Sequence, residues 1–183
     1  MKRITEAWLE TNNACDGGVL YFRTLGTMDA HEIMLKLLEH NLDWANWTIA
    51  HLLNRNQRIM YAIYAAEQVL EIFETKYPSD ARPRQAIEAA KAALKHNSIR
   101  TKNASDAYAS AAYASADAAY YAAYYAASAE GASAAASSAA AAASAEGAYY
   151  AAYAAAAAAV GADAAMKRQI ITYGMGLIWQ GGA

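Results

Sequence analysis

The chain has 183 residues, room for one domain or for one domain with an extension. Hydrophobic letters make up 57%, much of that share alanine, and tyrosine dominates the aromatics with 14 Tyr against 4 Trp and 2 Phe. One cysteine excludes an intramolecular disulfide scaffold and fits a reducing compartment; a net charge of −2 argues against holding nucleic acid by bulk electrostatics; low charge with many aromatics argues against a disordered chain.

The first 26 residues are the least regular. Gly17-Gly18 and Gly26 punctuate them, and Ala14 to Phe22 reads as either helix or strand. Helix signals then sharpen. Asp29 followed by Glu32 has capping-box spacing, and Ala30, Ile33, Met34, Leu37 and Leu38 follow at helical intervals. Asn41 suits the stop, and Asp43 is the expected cap of the next helix, where Trp44, Trp47, Ile49 and Leu52 supply apolar bulk. The strongest pattern is Ile59, Ile63, Ala66, Leu70, Phe73 and Tyr77, which predicts one helix over nearly five turns. Tyr77-Pro78-Ser79-Asp80 ends it. Asp80 or Arg82 starts the next, with Pro83 in the first turn and Ala86, Ile87, Ala90, Ala93 and Leu94 on the buried face.

Residues 104–165 form a low-complexity tract of Ala, Tyr and Ser. It carries Asp106, Asp117, Glu130, Glu146 and Asp163 and no Lys or Arg, so its charge is −5 against +3 for the remainder. High alanine content and the absence of proline predict helix. A single rod would be about 90 Å long, which alanine buries too little surface to support. Gly131, Gly147 and Gly161, and the repeat of Ala-Ser-Ala-Glu-Gly-Ala at 127–132 and 143–148, favour shorter helices packed side by side. Glu130, Ser133, Ser137 and Ser144 share one stripe across Gly131, so a continuous helix through that glycine stays open as the alternative. A final element from Met166 to Trp179, with Ile170, Ile171, Leu177 and Ile178, is expected to dock on the core, loosened by Gly174 and Gly176. The expected fold is all-α: a multi-helix bundle or short helical array, residues 1–102 forming a helical domain and 103–183 an extension packed on it.

No catalytic or ligand motif is specific. His31, His40, His51 and His96 lack metal-ligand spacing, and there is no phosphate loop and no Gly-x-Ser-x-Gly. No metal, no cofactor and no enzymatic activity are expected. His51 reads as a core or boundary histidine, and Cys15 as a small buried thiol rather than a nucleophile. The N-terminus lacks a signal peptide's apolar core, and the interrupted tract lacks a span of about 20 strongly apolar residues, so the protein is read as cytoplasmic with no membrane contact.

Two features suggest binding. The tyrosines Tyr113, Tyr120 and Tyr124 fall on one helical stripe with Tyr121 and Tyr125 beside it, and Tyr149, Tyr150 and Tyr153 form a second cluster. They read as bulk for an alanine-rich core or as a recognition face that can also stack on bases. Arg82 and Arg84 open the most basic stretch, continued by Lys91, Lys95, Arg100 and Lys102. That stretch reads as a solvated face pairing with the acidic tract or Glu67, or as a docking site for an acidic partner or a nucleotide phosphate.

Ala14-Cys15-Asp16-Gly17-Gly18 through Phe22, Asp43-Trp44-Ala45-Asn46-Trp47, and Tyr64-Ala65-Ala66-Glu67 with Tyr77-Pro78-Ser79-Asp80-Ala81-Arg82-Pro83-Arg84-Gln85-Ala86-Ile87-Glu88-Ala89 resemble the "putative immunity protein" family of bacteria, phages and prophages. The resemblance implies an N-terminal helical domain, an Ala-rich helical tract, and neutralisation of a toxin by direct binding; the first expectation is an inhibitor of a toxin or a host-defence effector, acting in the cytoplasm, that of the host if the protein is phage-encoded. It supplies no catalytic residues. Members commonly interleave Arg in the tract, whereas this chain uses Tyr and Ser. A protein partner is therefore the first expectation. A sequestering protein for a small signalling nucleotide, with Tyr stacking and Arg82 or Arg84 on phosphate, is the alternative. Homo-oligomers that bury surplus Tyr fit either. Nucleic acid is disfavoured. An ice-binding helix is disfavoured by the lack of Thr between Thr101 and Thr172.

Overall fold

A computed structural model of the chain describes residues 2–76, 78–79, 81–95 and 163–179. They form eight helices: α1 (Glu6–Thr11), α2 (Asp16–Thr24), α3 (Ala30–His40), α4 (Leu42–Leu52), α5 (Arg55–Glu67), α6 (Leu70–Lys76), α7 (Arg82–Lys95) and α8 (Asp163–Trp179). Among the described residues the fold is all-α, the one β feature being an isolated antiparallel bridge between Arg3 and Asp29. The tract from 104 to 162 and the expected domain boundary at 102/103 lie outside the described residues.

Side-chain caps set four of the helix starts. Asp29 caps α3, its Oδ1 accepting from His31 N and Glu32 N, both at 3.0 Å. Asn54 caps α5 in a reciprocal capping box: its side chain accepts from Gln57 N (3.0 Å) while Asn54 N donates to Gln57 Oε1 (2.9 Å). The segment Ala14 to Phe22 resolves as helix rather than strand, and Gly17-Gly18 lie inside its first turn. α1 carries little sequence signal beyond Thr5, whose hydroxyl accepts from Trp8 N.

Three expectations change. Asn41, not Asp43, caps α4: Asn41 Oδ1 accepts from Asp43 N (3.0 Å) and Trp44 N (3.1 Å), so one residue ends α3 and starts α4. The long helix predicted from Ile59 breaks after Glu67, where Val69 N donates three residues back to Ala66 O and closes the turn tightly. The apolar stripe survives the break, with Ile59, Ile63, Ala66 and Leu70 all buried. Gly174 does not loosen the last helix. It is buried, and a Cβ there would come within 2.7 Å of Tyr61 Cε2 and 3.0 Å of Ile49 Cγ1, so the missing side chain lets α8 approach α4 and α5 closely.

The core sits where α4 and α5 meet α8, with α3 packed on α4 and α6 and α7 on α5. Ile49, Tyr61, Ala62, Ala66, Ile170 and Ile171 have almost no exposure. The one large polar side chain at the centre is satisfied: Tyr61 Oη donates to Asn46 Oδ1 at 2.8 Å. Ion pairs clamp the outside of α8, Lys167 to Asp43 and Arg168 to Glu39, each at 2.9 Å. The chain start is also tied down, because Ala30 N donates to Lys2 O and Ile4 N to Met28 O, and the Lys2 ammonium donates to Leu52 O at the end of α4.

Candidate functional site

The tyrosines Tyr113, Tyr120, Tyr121, Tyr124, Tyr125, Tyr149, Tyr150 and Tyr153 lie outside the described residues, and so does the side chain of Arg82, although its backbone opens α7. Arg84 is described and engaged. Its Nε and Nη2 donate to Glu74 Oε1 and Oε2, each at 2.6 Å, joining α7 to α6. This fork-to-fork pair raises the guanidinium above its ordinary range, chiefly through the hydrogen bonds, and lowers the Glu74 carboxyl by the same contact. Lys91 bridges Glu67 of α5 (2.9 Å) and Glu88 of α7 (2.8 Å), the pairing with Glu67 expected from the sequence.

The tyrosines that are described form a different cluster. Tyr64 of α5 stacks on Tyr173 of α8, ring centroids 4.0 Å apart and planes within 12°. Gln169 extends the pair, its Nε2 donating to Tyr64 Oη (2.9 Å) and to Gln68 Oε1 (3.1 Å). Together with Ala165, Arg168 and Thr172 they line a shallow open groove along α8. Partial burial, reinforced by Tyr64 and Glu67, pushes the Tyr173 hydroxyl above its ordinary range. No local pattern marks this pair, because 109 residues separate its members.

A second concavity lies among the N-terminal helices. Helices α1 to α4 line a partly open, mainly apolar cavity of about 320 Å³, walled by the rings of Tyr21, Phe22, Trp44 and Trp47. Aromatic contacts brace two of these walls. Tyr21 stacks on His40 at 3.9 Å and 5°, and Trp47 lies 4.2 Å from His51, with Trp8 edge-on to both. His51 is thus a boundary histidine, its Nδ1 2.8 Å from Trp47 O. Cys15 is not buried as expected. It is exposed at the N-cap of α2, on the cavity lining. Among the described residues no group of three or more His, Cys, Asp and Glu is placed to hold a metal, and no helix is long and apolar enough to cross a membrane.

Residues 49–175 match the family described as Imm-5 like putative immunity protein. The chain belongs to this family. The Imm-5 like match takes in α5 to α7, nearly all of α8 and the whole alanine tract, together with the Tyr64–Glu67 and Tyr77–Ala89 blocks that carry the sequence resemblance. The Ala14–Phe22 and Asp43–Trp47 blocks precede it. The stacked pair Tyr64–Tyr173 falls within the Imm-5 like segment, whereas every residue lining the cavity precedes residue 49. No curated protein and no solved structure matches the chain.

Proposed function

We propose that this Imm-5 like protein is a non-enzymatic inhibitor, encoded by a bacterium or phage, that neutralises a toxin or host-defence effector in the cytoplasm by direct binding. The family match over residues 49–175 carries the reading. The contact residues are those of the acidic, tyrosine-rich tract, Tyr113, Tyr120, Tyr121, Tyr124, Tyr125, Tyr149, Tyr150 and Tyr153, and the Tyr64–Tyr173–Gln169 face is a second tyrosine surface on α5 and α8. Tyr with small polar neighbours gives large contact area at low entropic cost. The −5 charge of the tract selects a partner with a basic face. Self-association through surplus tyrosine is compatible with this role.

The nucleotide-sequestering alternative needs Arg82 or Arg84 on a phosphate. Arg84 already makes two charge-assisted hydrogen bonds to Glu74, whose carboxylate would repel an incoming phosphate, and this favours the protein-binding reading. Purification of a tagged full-length chain from candidate hosts, followed by inhibition assays on the recovered protein, tests the proposal. A stoichiometric partner whose toxicity is suppressed at equimolar ratio is expected. Absence of any partner across those hosts, together with a thermal shift on adding small nucleotides, would overturn it in favour of the alternative.

A further inference from the structure

The cavity under α2 lies outside the Imm-5 like segment and has no part in the proposed inhibitor surface. Its volume, about 320 Å³, falls at the lower end of the range typical of small-molecule pockets. The pocket is partly open, so a small molecule can reach it from solvent. The sequence places Ala14, Cys15 and Gly18, all small, on the segment that covers it, with the large rings of Trp44 and Trp47 also in the lining. The space therefore results from small side chains set among large ones.

The cover is the least embedded helix of the bundle. α2 has no buried residue, and Leu20 on it is 60% exposed. Val19, Tyr21 and Phe22 pack against the core while staying partly exposed, and surface contacts add to the hold: Arg23 donates to Glu6 Oε2 from Nε (3.1 Å) and Nη2 (2.8 Å), and Tyr21 lies on His40. Both flanks hold left-handed backbone, Asn13 with φ 57° before α2 and Gly26 with φ 67° after it, so the helix is set between two sharp turns.

We propose that this cavity is a binding site for a small, uncharged aromatic molecule, of the size of indole or naphthol, with α2 as its cover. The four ring walls set the aromatic preference. Thr48 and Asn13 are the neutral polar groups in the lining, suited to orient one hydroxyl or N–H. Charge is selected against. Asp43 is the only charged lining residue and is paired with Lys167 at 2.9 Å, so the lining offers no counter-charge to an anion and only an already paired carboxylate to a cation, and burying either is costly.

Calorimetric titration of the full-length protein with indole and with 2-naphthol tests this. Binding at one site per chain is expected, at least tenfold tighter than for indole-3-acetate or tryptamine. Filling the space by Ala14→Phe, or from the α4 side by Thr48→Met, should weaken binding at least tenfold. Circular dichroism identifies a variant that fails to fold, in which case the other carries the comparison. Cys15 on the lining gives an independent readout, since ligand should slow its alkylation several-fold. The proposal is overturned if neither probe binds and Cys15 alkylation is unchanged, if binding survives both filling variants, or if a charged analogue binds more tightly than the neutral one. The toxin assay is unaffected by any of these results.

Discussion

Gly174 of α8 lies against the ring of Tyr61 of α5, at a separation that leaves no room for a methyl group: an ideal Cβ would sit 2.7 Å from Tyr61 Cε2 and 2.9 Å from Cδ2. Tyr61 cannot yield, because it is fully buried and its hydroxyl is committed to Asn46. The contact joins the end of the chain to its first hundred residues. Gly174→Ala should therefore destabilise the protein by about 1–3 kcal/mol, the usual cost of overpacking, despite alanine's better helix propensity. Gly18→Ala is the matched comparison. Its Cβ would meet only Cys15 Sγ at 3.5 Å, an ordinary contact, so stability should hold or rise. Urea denaturation of both variants checks the pair.

Tyr61→Phe keeps the ring and removes the donor to Asn46 Oδ1. Deleting one partner of a buried hydrogen bond costs about 1–3 kcal/mol. Burial alone pushes the Tyr61 hydroxyl well above its ordinary value of 10.0. The unfolded chain ionises this group near pH 10 while the folded chain holds it neutral, so the unfolded state releases a proton that the folded state keeps. Stability is thus unaffected by this group below pH 10 and falls above it, by up to about 1.4 kcal/mol per pH unit. Thermal melts from pH 8 to 11 should show a shallower alkaline decline in Tyr61→Phe than in the unmodified protein.

Asn41→Ala should cost about 0.5–2 kcal/mol, because the side chain caps α4 through two backbone N–H groups. Asp43→Ala removes one surface ion pair with Lys167 and should cost about 0–1 kcal/mol. Equal losses in chemical denaturation would contradict this division of roles.

Replacing Tyr120, Tyr124, Tyr149 and Tyr153 by Ala separates packing from recognition in the tract. If these rings form the binding face, partner affinity falls by at least tenfold while the melting temperature stays within a degree or two. Thermal denaturation beside a partner-binding titration reads both. A large drop in melting temperature with affinity retained would place them in a core instead.

Much of the fold was legible because its signals are local. The Asp29 cap, the α3 and α7 stripes, Pro83 in the first turn of α7 and the docking face Ile170–Ile171 each depend on residues within a few positions of one another. The same locality explains the misassignments. Asp43 and Asn41 are both good caps, and only the path of the chain between α3 and α4 decides which side chain meets the free N–H groups. The stripe from Ile59 to Tyr77 keeps its helical period across a one-turn break, so periodicity could not register the break between α5 and α6.

The family, too, could be read from sequence, because the Tyr77–Ala89 block is contiguous. The two concavities could not. Tyr64 meets Tyr173 only because α8 returns along α5, and the cavity exists only because Ala14, Cys15 and Gly18 are carried over Trp44 and Trp47 from another helix. The sequence by itself determined the all-α class, the Asp29 cap and family membership, through short-range hydrogen bonding and periodic burial. Tertiary structure alone decided which small residue faces which large one. That choice makes Gly174 a close contact and the α2 segment a cover, since packing depends on the shapes that distant segments present to each other.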